Sequence, residues 1–463
     1  MKLSEMKLSK IFNRGLFSLV MVAVIAAAPA SLWAQDATTG GIYIDPSGVL
    51  KLRTIDGGLE DSRIRAAQND LSPELLKSSK MRLISLNRLE KAMLARADKK
   101  LAPSEEMRFL AGLTAIEYVF FYPETNEIVL AGPAEGFAAD NLGRRVGIYS
   151  RKSTLMLDDL VAALRAYSPQ GKRAAVISVS IDPTQEGLTN MQRFLQSVGG
   201  TVQPEDTAYI VQGLQKSLGM QEVTIHGVSP KTHLAQVLLE ADYRMKLIGI
   251  GLERPAVKIT SFVERASAGA ISRNALVRWY FTPEYKTISV SEDGNAMRLT
   301  GQGVKLISAS ELVKRDGQRV SAVKVDPASR AFTESFTRQY TKLAAREPLF
   351  AQLKNVMDMS IVAAFIQEQG FYEKSNWSMN YLGNEDLYPI ERLNTPKYVE
   401  TAVNAVWKGS QLLTPVGGGV TVEPREALKK ENLVEDSKGL LKKSQEKVTL
   451  DHLKDGQWWW DAK

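Results

Sequence analysis

The sequence contains no cysteine and only three histidines, His226, His233 and His452, in 463 residues. The first absence removes thiol nucleophiles, Cys-ligated zinc and iron–sulfur clusters together. It does not hinder folding, because a chain this long can bury a large core without disulfide staples, even outside the cytoplasm. The second leaves little for metal or triad chemistry. His226 and His233 flank a strand–helix corner, no His–Glu–x–x–His spacing occurs, and no Gly-x-Ser-x-Gly elbow is present. No metal site and no cofactor is therefore expected.

An excess of one charge sign is missing too. Residues 1–34 hold four basic side chains and one acidic, so removing them leaves 55 basic and 51 acidic groups. A surplus of four spread over the remainder is no nucleic-acid footprint, which needs a concentrated basic face.

Long apolar runs are confined to the N-terminus. Lys2, Lys7, Lys10 and Arg14 precede an apolar run from Leu16 to Ala28, and small residues follow at Ala28-Pro29-Ala30 and Ala34. This is the three-part pattern of a secretory signal, with cleavage expected after Ala30 or Ala34. No second stretch reads as the ~18 apolar residues that a membrane span needs. The expectation is an exported chain, periplasmic, envelope-associated or secreted, with no transmembrane anchor after cleavage.

Glycine-rich phosphate loops fail on context. The triple glycine of "TPVGGGVTVEP" runs into the strand pattern Val420-Thr421-Val422, whereas a phosphate cradle opens a helix. "GQGVKL" at Gly301–Leu306 fails for the same reason. Ser444 and Lys447 have Ser-x-x-Lys spacing but lie in a charged tail.

The elements that are present read as an α+β fold: an α/β region, then an antiparallel β-meander, then a helical region with a closing hairpin. After the signal, residues 35–102 hold a hairpin ("GGIYIDPSGVLKL") and a helix ("SSKMRLISLNRLEKAMLARA"). Residues 103–265 alternate strands with helices, which suggests α/β units with some parallel pairing. Residues 275–325 show successive strand patterns, "LVRWYFTP", "KTISVSEDG" and "AMRLTGQGVKLISA". Within 326–424, Phe332, Phe336, Tyr340 and Leu343 share one helix face. A second helix starts at Pro348, "PKYVETAVNAVWKG" reads as a third, and "QLLTPV" with "GVTVEP" reads as a hairpin. Residues 425–463 carry nine basic and eight acidic groups and read as an extended or loosely helical tail ending in "QWWWDAK".

Two stretches are candidate sites. In "LLEADYRMKLIGIG", Glu240, Asp242, Tyr243, Arg244 and Lys246 crowd a predicted helix capped by Ser229 and opened by Pro230. Glu240/Arg244 and Asp242/Lys246 are each four apart, in the favoured acid-first order for helical ion pairs. The reading is a solvated helix face leading into the strand "KLIGIGL", with a carboxylate–arginine site as its rival. Trp458, Trp459 and Trp460 end the tail, where they could stack on sugar rings, anchor at an interface or fold back onto the body.

"IEYVFFYPETNEIVLAGPAEG", "SIDPTQEGL", "LLEADYRMKLIGIGLE", "RWYFTPEYKTISVSEDGNAMRLTGQGVKL" and "TAVNAVWKGSQLLTPVGGGV" together resemble a family of exported bacterial proteins known only as a domain of unknown function. The resemblance runs from about Gly40 to about Pro424. It implies bacterial origin and export, and transfers no catalytic residue. The functional expectation is a non-catalytic envelope or extracellular binding or structural protein that contacts an envelope component or protein. The alternative is a carboxylate-dependent hydrolase of an envelope polymer such as polysaccharide or peptidoglycan. Its Asp/Glu pair would be brought together by folding.

Overall fold

A computed structural model describes residues 38–44, 49–55, 65, 71–140, 142–171, 173–199, 203–266, 275–284, 287–313, 319–321, 327–404, 406–408, 411–413, 419–436, 438–450 and 452–462. The expected signal, 1–34, lies outside them, as do Gly417 and Gly418 of the triple glycine.

The α+β class holds, and two large sheets carry it. The first has nine strands in the order β1 (Thr38–Ile44), β2 (Val49–Ile55), β15 (Tyr398–Glu400), β9 (Met220–His226), β8 (Ile177–Pro183), β18 (Gly419–Val422), β10 (Ala275–Glu284), β13 (Gly303–Val313) and β14 (Arg319–Ser321). The second has seven: β19 (Leu433–Glu435), β11 (Thr287–Val290), β12 (Ala296–Thr300), β4 (Tyr118–Tyr122), β5 (Glu127–Ala134), β3 (Ser79–Ser85) and β20 (Trp459–Asp461). Two small hairpins, β6 (Phe137–Ala139) with β7 (Arg145–Gly147) and β16 (Val406–Lys408) with β17 (Gln411–Leu413), stand apart. The longer helices are α1 (Leu86–Ala97), α2 (Leu157–Ala166), α3 (Gln185–Val198), α4 (Thr207–Leu218), α5 (His233–Gly249), α6 (Pro327–Ala344), α7 (Pro348–Glu368) and α8 (Leu440–Glu446).

Several expected elements change type or partner. The segment from Ser79 is strand first and helix second: Ser85 ends β3, and its hydroxyl accepts from Arg88 N at 3.2 Å to cap α1. Asp182 and Pro183 finish β8, and Thr184 caps α3. "PKYVETAVNAVWKG" is no helix. Its β-branched Val399 is fully buried in β15, between β2 and β9, and Val406–Lys408 form β16. The expected closing hairpin splits: β17 pairs with β16, while β18 enters the nine-stranded sheet between β8 and β10. The strands of 275–313 also divide. β10 and β13 pair in one sheet, and the hairpin β11–β12 between them reaches into the other. β8 and β9 pair antiparallel; the parallel pairs are β2/β15, β10/β18 and β11/β19.

Both faces of the seven-stranded sheet are buried, which explains the near-continuous apolar run of "YVFFY". Side chains alternate across a strand. Val119, Phe121, Ile128, Leu130 and Ile84 point into the main core. Phe120, Tyr122, Val129, Ala131 and Leu83 point the other way, onto Leu441, Val448, Leu450 and Trp460. The charged segment is therefore no loose tail. It needs little apolar content of its own because it caps a surface that the sheet already presents.

The main core centres on α7, buried along almost its whole length. This helix is long and apolar enough to cross a membrane, so the expectation that no such second stretch exists was incorrect; 94% of its apolar window is enclosed by the protein. Beside it, Phe332, Phe336, Tyr340 and Leu343 form the expected buried face of α6. The three rings among them meet Trp279, Phe281 and Phe350 in edge-to-face contacts. The polar tips are satisfied: Trp279 Nε1 donates to Ser329 Oγ at 2.8 Å, and the Tyr340 hydroxyl donates to the Phe350 carbonyl at 2.7 Å.

Candidate functional site

The charged stretch of α5 is not a solvated face. Thr232, rather than Ser229, caps the helix, and the helix continues through Leu247 and Ile248 to Gly249, so "KLIGIGL" is not a strand. Asp242 is fully enclosed, and Glu240, Arg244 and Lys246 are each less than 8% exposed. α5 is buried on all sides because α2, α7, β8, β10 and β18 surround it.

Glu240 and Arg244 find partners outside the helix, and Asp242 and Lys246 pair within it. Glu240 accepts from Arg144 at 2.9 Å, not from Arg244. Arg244 Nε donates to Glu253 at 2.8 Å, Nη2 bonds both Glu253 and Glu347, and the guanidinium lies over the Phe350 ring. Lys246 Nζ lies 2.9 Å from Asp242 Oδ2, the one i,i+4 pair of the two expected, and donates to the Ile181 carbonyl at 2.8 Å. The Asp182–Arg278 ion pair, at 2.6 Å, sits close enough to act on both. Tyr243, half-buried, packs on the core. At the N-terminal end, His233 Nδ1 meets Asp159 at 2.9 Å.

Burial dominates the electrostatics. It pushes Asp242 up to about 6 against the opposing pull of Lys246, and it lowers Lys246 against the pull of Asp242. Glu253 is also raised by burial. His233 is pulled down by burial, but the adjacent Asp159 carboxylate leaves it raised overall. This is a buried network of ion pairs, in which both Asp242 carboxylate oxygens and Glu253 Oε2 have no hydrogen-bond partner among the described residues. It ties α5 to β8 through the Ile181 carbonyl and to Glu347 at the start of α7. Among the described residues, no group of three or more His, Asp or Glu side chains is placed to hold a metal ion.

The tryptophans behave differently. Trp458 and Trp460 are about 5% exposed, Trp458 in the main core and Trp460 in the second cluster, while Trp459 between them is half-buried. β20 pairs antiparallel with β3, Trp459 opposite Ile84 and Trp460 opposite Leu83. That alternation sends Trp459 to the opposite face from Trp460.

Arg82 of β3 holds this strand in place. Its side chain is fully buried, and it grips Asp461 through two nitrogens, at 2.8 and 3.2 Å. Nη1 donates to the Ala111 carbonyl at 2.7 Å, and Nη2 also lies within hydrogen-bond distance of the carbonyls of Lys77 at 3.0 Å and Glu74 at 3.3 Å. Its guanidinium carbon lies 4.5 Å from the centre of the Trp459 ring. Trp459 Nε1 donates to Glu106, and Gln457 Nε2 to the Trp459 carbonyl at 3.2 Å.

Around this indole lies a cleft of about 510 Å³, lined by Glu74, Lys77, Glu106, Gln457, Trp459 and Asp461 with edges of Trp458, Trp460 and Gly456. The sequence points to the tryptophans alone. Arg82 sits in a stretch whose leucine spacing looks helical, and Glu74, Lys77 and Glu106, in or next to two short helices, reach the cleft only through the tertiary fold. The usable signal is Asp461, a carboxylate set directly after three indoles.

The comparisons with known proteins bear on the other locus. No curated protein and no solved structure matches the chain. The matched part of the sequence starts in β8, takes in α3, α4, β9 and the whole of α5, and ends at Phe262, so it contains the charged residues of α5 with Asp182 and Glu253, but not their partners Arg144, Arg278 and Glu347, and not the cleft. This segment, residues 179–262, matches the family model of DUF1598, described as a protein of unknown function.

Proposed function

We propose that the protein is an exported, non-catalytic binding protein of the bacterial cell envelope or extracellular space, and that it holds its ligand at the C-terminal cleft. The carrying observation is the cleft itself. Its volume of about 510 Å³ falls within the about 300–1,000 Å³ typical of ligand sites, and one of its walls is an indole locked in place by Arg82 and Glu106. Such preorganisation lowers the ordering cost of binding.

The hydrolase alternative needs two carboxylates facing the substrate and free to exchange protons. Asp461 is held bidentate by Arg82, and Glu106 accepts the Trp459 indole N–H, so two of the three cleft carboxylates already serve the architecture. Export is supported by the basic start, the apolar run and the small residues within 1–34.

Fractionation of cells carrying a tagged chain, with co-sedimentation of the mature protein on insoluble envelope material, tests the reading. Recovery outside the cytoplasm and sedimentation that falls about tenfold in Trp459→Ala, the scale of a lost anchoring aromatic side chain, is the expected result. Retention in the cytoplasm, or sedimentation no greater than that of an inert control, would overturn it. Release of soluble fragments from the envelope polymer would overturn its non-catalytic part.

A further inference from the structure

Resting on the binding reading above, we propose that the cleft takes an uncharged polysaccharide, one sugar ring of which stacks on Trp459. The platform is the first argument. Trp459 lines the cleft, half-buried against the main core, and Arg82 lies over one face of its ring, so the sugar would stack on the opposite face. The N–H bond to Glu106 stops the indole from turning. A fixed flat apolar surface matches the C–H face of a pyranose ring.

The rim supplies the second argument. A sugar presents hydroxyls around its edge, each both donor and acceptor, and needs both kinds of partner in a ring about the platform. Lys77 and Gln457 offer donors, and Glu74, Glu106 and Asp461 offer acceptors.

Charge decides the class. Asp461 and Arg82 cancel each other, which leaves Glu74 and Glu106 against Lys77, a surplus of one negative charge. An anionic glycan would meet net repulsion. A flat cation could pair with the carboxylates, but the guanidinium on the far face already draws on the indole's π-electrons and weakens a second cation–π contact. A neutral ligand incurs neither penalty.

The full mature chain is titrated with a soluble neutral β-glucan, a sulfated glucan and spermidine, read by tryptophan fluorescence and by retardation in affinity gels, with the thermal midpoint of every variant recorded. Binding to the neutral glucan alone is expected. Trp459→Ala should weaken it about tenfold, and Trp459→Phe, which keeps a ring, by less. Glu74→Lys, at an exposed side chain where folding is not at stake, should confer binding to the sulfated glucan, and it carries the test if Trp459→Ala fails to fold. Tighter binding of the sulfated glucan or spermidine by the natural chain, neutral-glucan binding indifferent to Trp459, or no gain in Glu74→Lys would each overturn the inference. Envelope sedimentation without any response to the neutral glucan would overturn the ligand class while leaving the binding reading standing. Loss of both would remove both.

Discussion

Lys246 Nζ lies 2.9 Å from Asp242 Oδ2, one helical turn along α5, with both side chains almost sealed from solvent. The acid-first order resembles that of an exposed helix, but the energetics differ. On a surface such a pair stabilises by roughly 0.2–0.5 kcal/mol. In the interior each partner is held there by the other, and removing one strands the other's charge. Lys246→Met should therefore destabilise the protein by about 3–5 kcal/mol. The double variant Asp242→Leu/Lys246→Met, with no charge left to strand, should recover most of that loss. Urea unfolding of both variants checks it, and a double variant no better than the single would contradict the account.

The same pair sets a pH dependence. Burial raises Asp242 from an ordinary value of 3.8 to about 6. The folded state thus holds this proton more tightly than the unfolded chain does. The resulting stability is fully present below about pH 4 and is lost as pH rises through about 6. Because other groups titrate in that window, the informative quantity is the difference between the natural chain and Asp242→Asn. The natural chain should lose more stability than the variant between about pH 4 and about 6. Equal slopes would show that Asp242 titrates normally.

Deleting Gln457–Lys463 should lower the thermal midpoint by about 5 °C or more. The deletion removes Trp460 from a cluster with Leu83, Phe120 and Val129, and it removes the Ser85 N to Trp458 O bond of 2.9 Å. It also leaves β3 as an open edge, which invites association between copies. Trp460→Ala alone should cost about 3–5 kcal/mol. A truncated chain as stable as the whole would mean that the tryptophans do not pack as described.

Gly249 offers a test in which two effects oppose. Alanine is the better helix former by about 1 kcal/mol. A Cβ at Gly249, however, would sit 2.4 Å from the Trp279 ring and 3.0 Å from Phe332. Both rings are fully buried, and Trp279 is tied to Ser329, so neither has room to yield. Overpacking of this kind costs about 1–3 kcal/mol, so Gly249→Ala should be destabilising despite its helix propensity. Chemical denaturation decides the sign.

What the sequence revealed follows a physical divide. Elements whose signal is local were legible: the β1–β2 hairpin of "GGIYIDPSGVLKL", the buried face of α6, and α7 starting at Pro348. Elements decided by distant partners were not. Val399 is a strand residue because β2 and β9 flank it, and the apolar spacing of its own segment gives no hint of that. Glu240, Asp242, Arg244 and Lys246 read as solvent-facing because charge usually is, whereas Arg144, Glu253 and Glu347, which allow their burial, lie outside the helix. The cleft shows the same divide. Trp459 stood out by composition, and Arg82, which fixes it, was hidden in a stretch with helical spacing.

Both sheets are finished by late-made parts of the chain. β2 waits for Tyr398–Glu400, and the seven-stranded sheet is bounded on one side by Leu433–Glu435 and on the other by Trp459–Asp461. A ribosome delivers these partners after the strands they join, so neither sheet can be completed until the later segments have emerged. Pairings this far apart along the chain also form slowly once they become available. Under the export proposed above, that delay would be useful, since a chain unable to complete its sheets early stays loose enough to be threaded through a translocation channel. Its unfilled strands meanwhile are the surfaces a holding chaperone would need to cover.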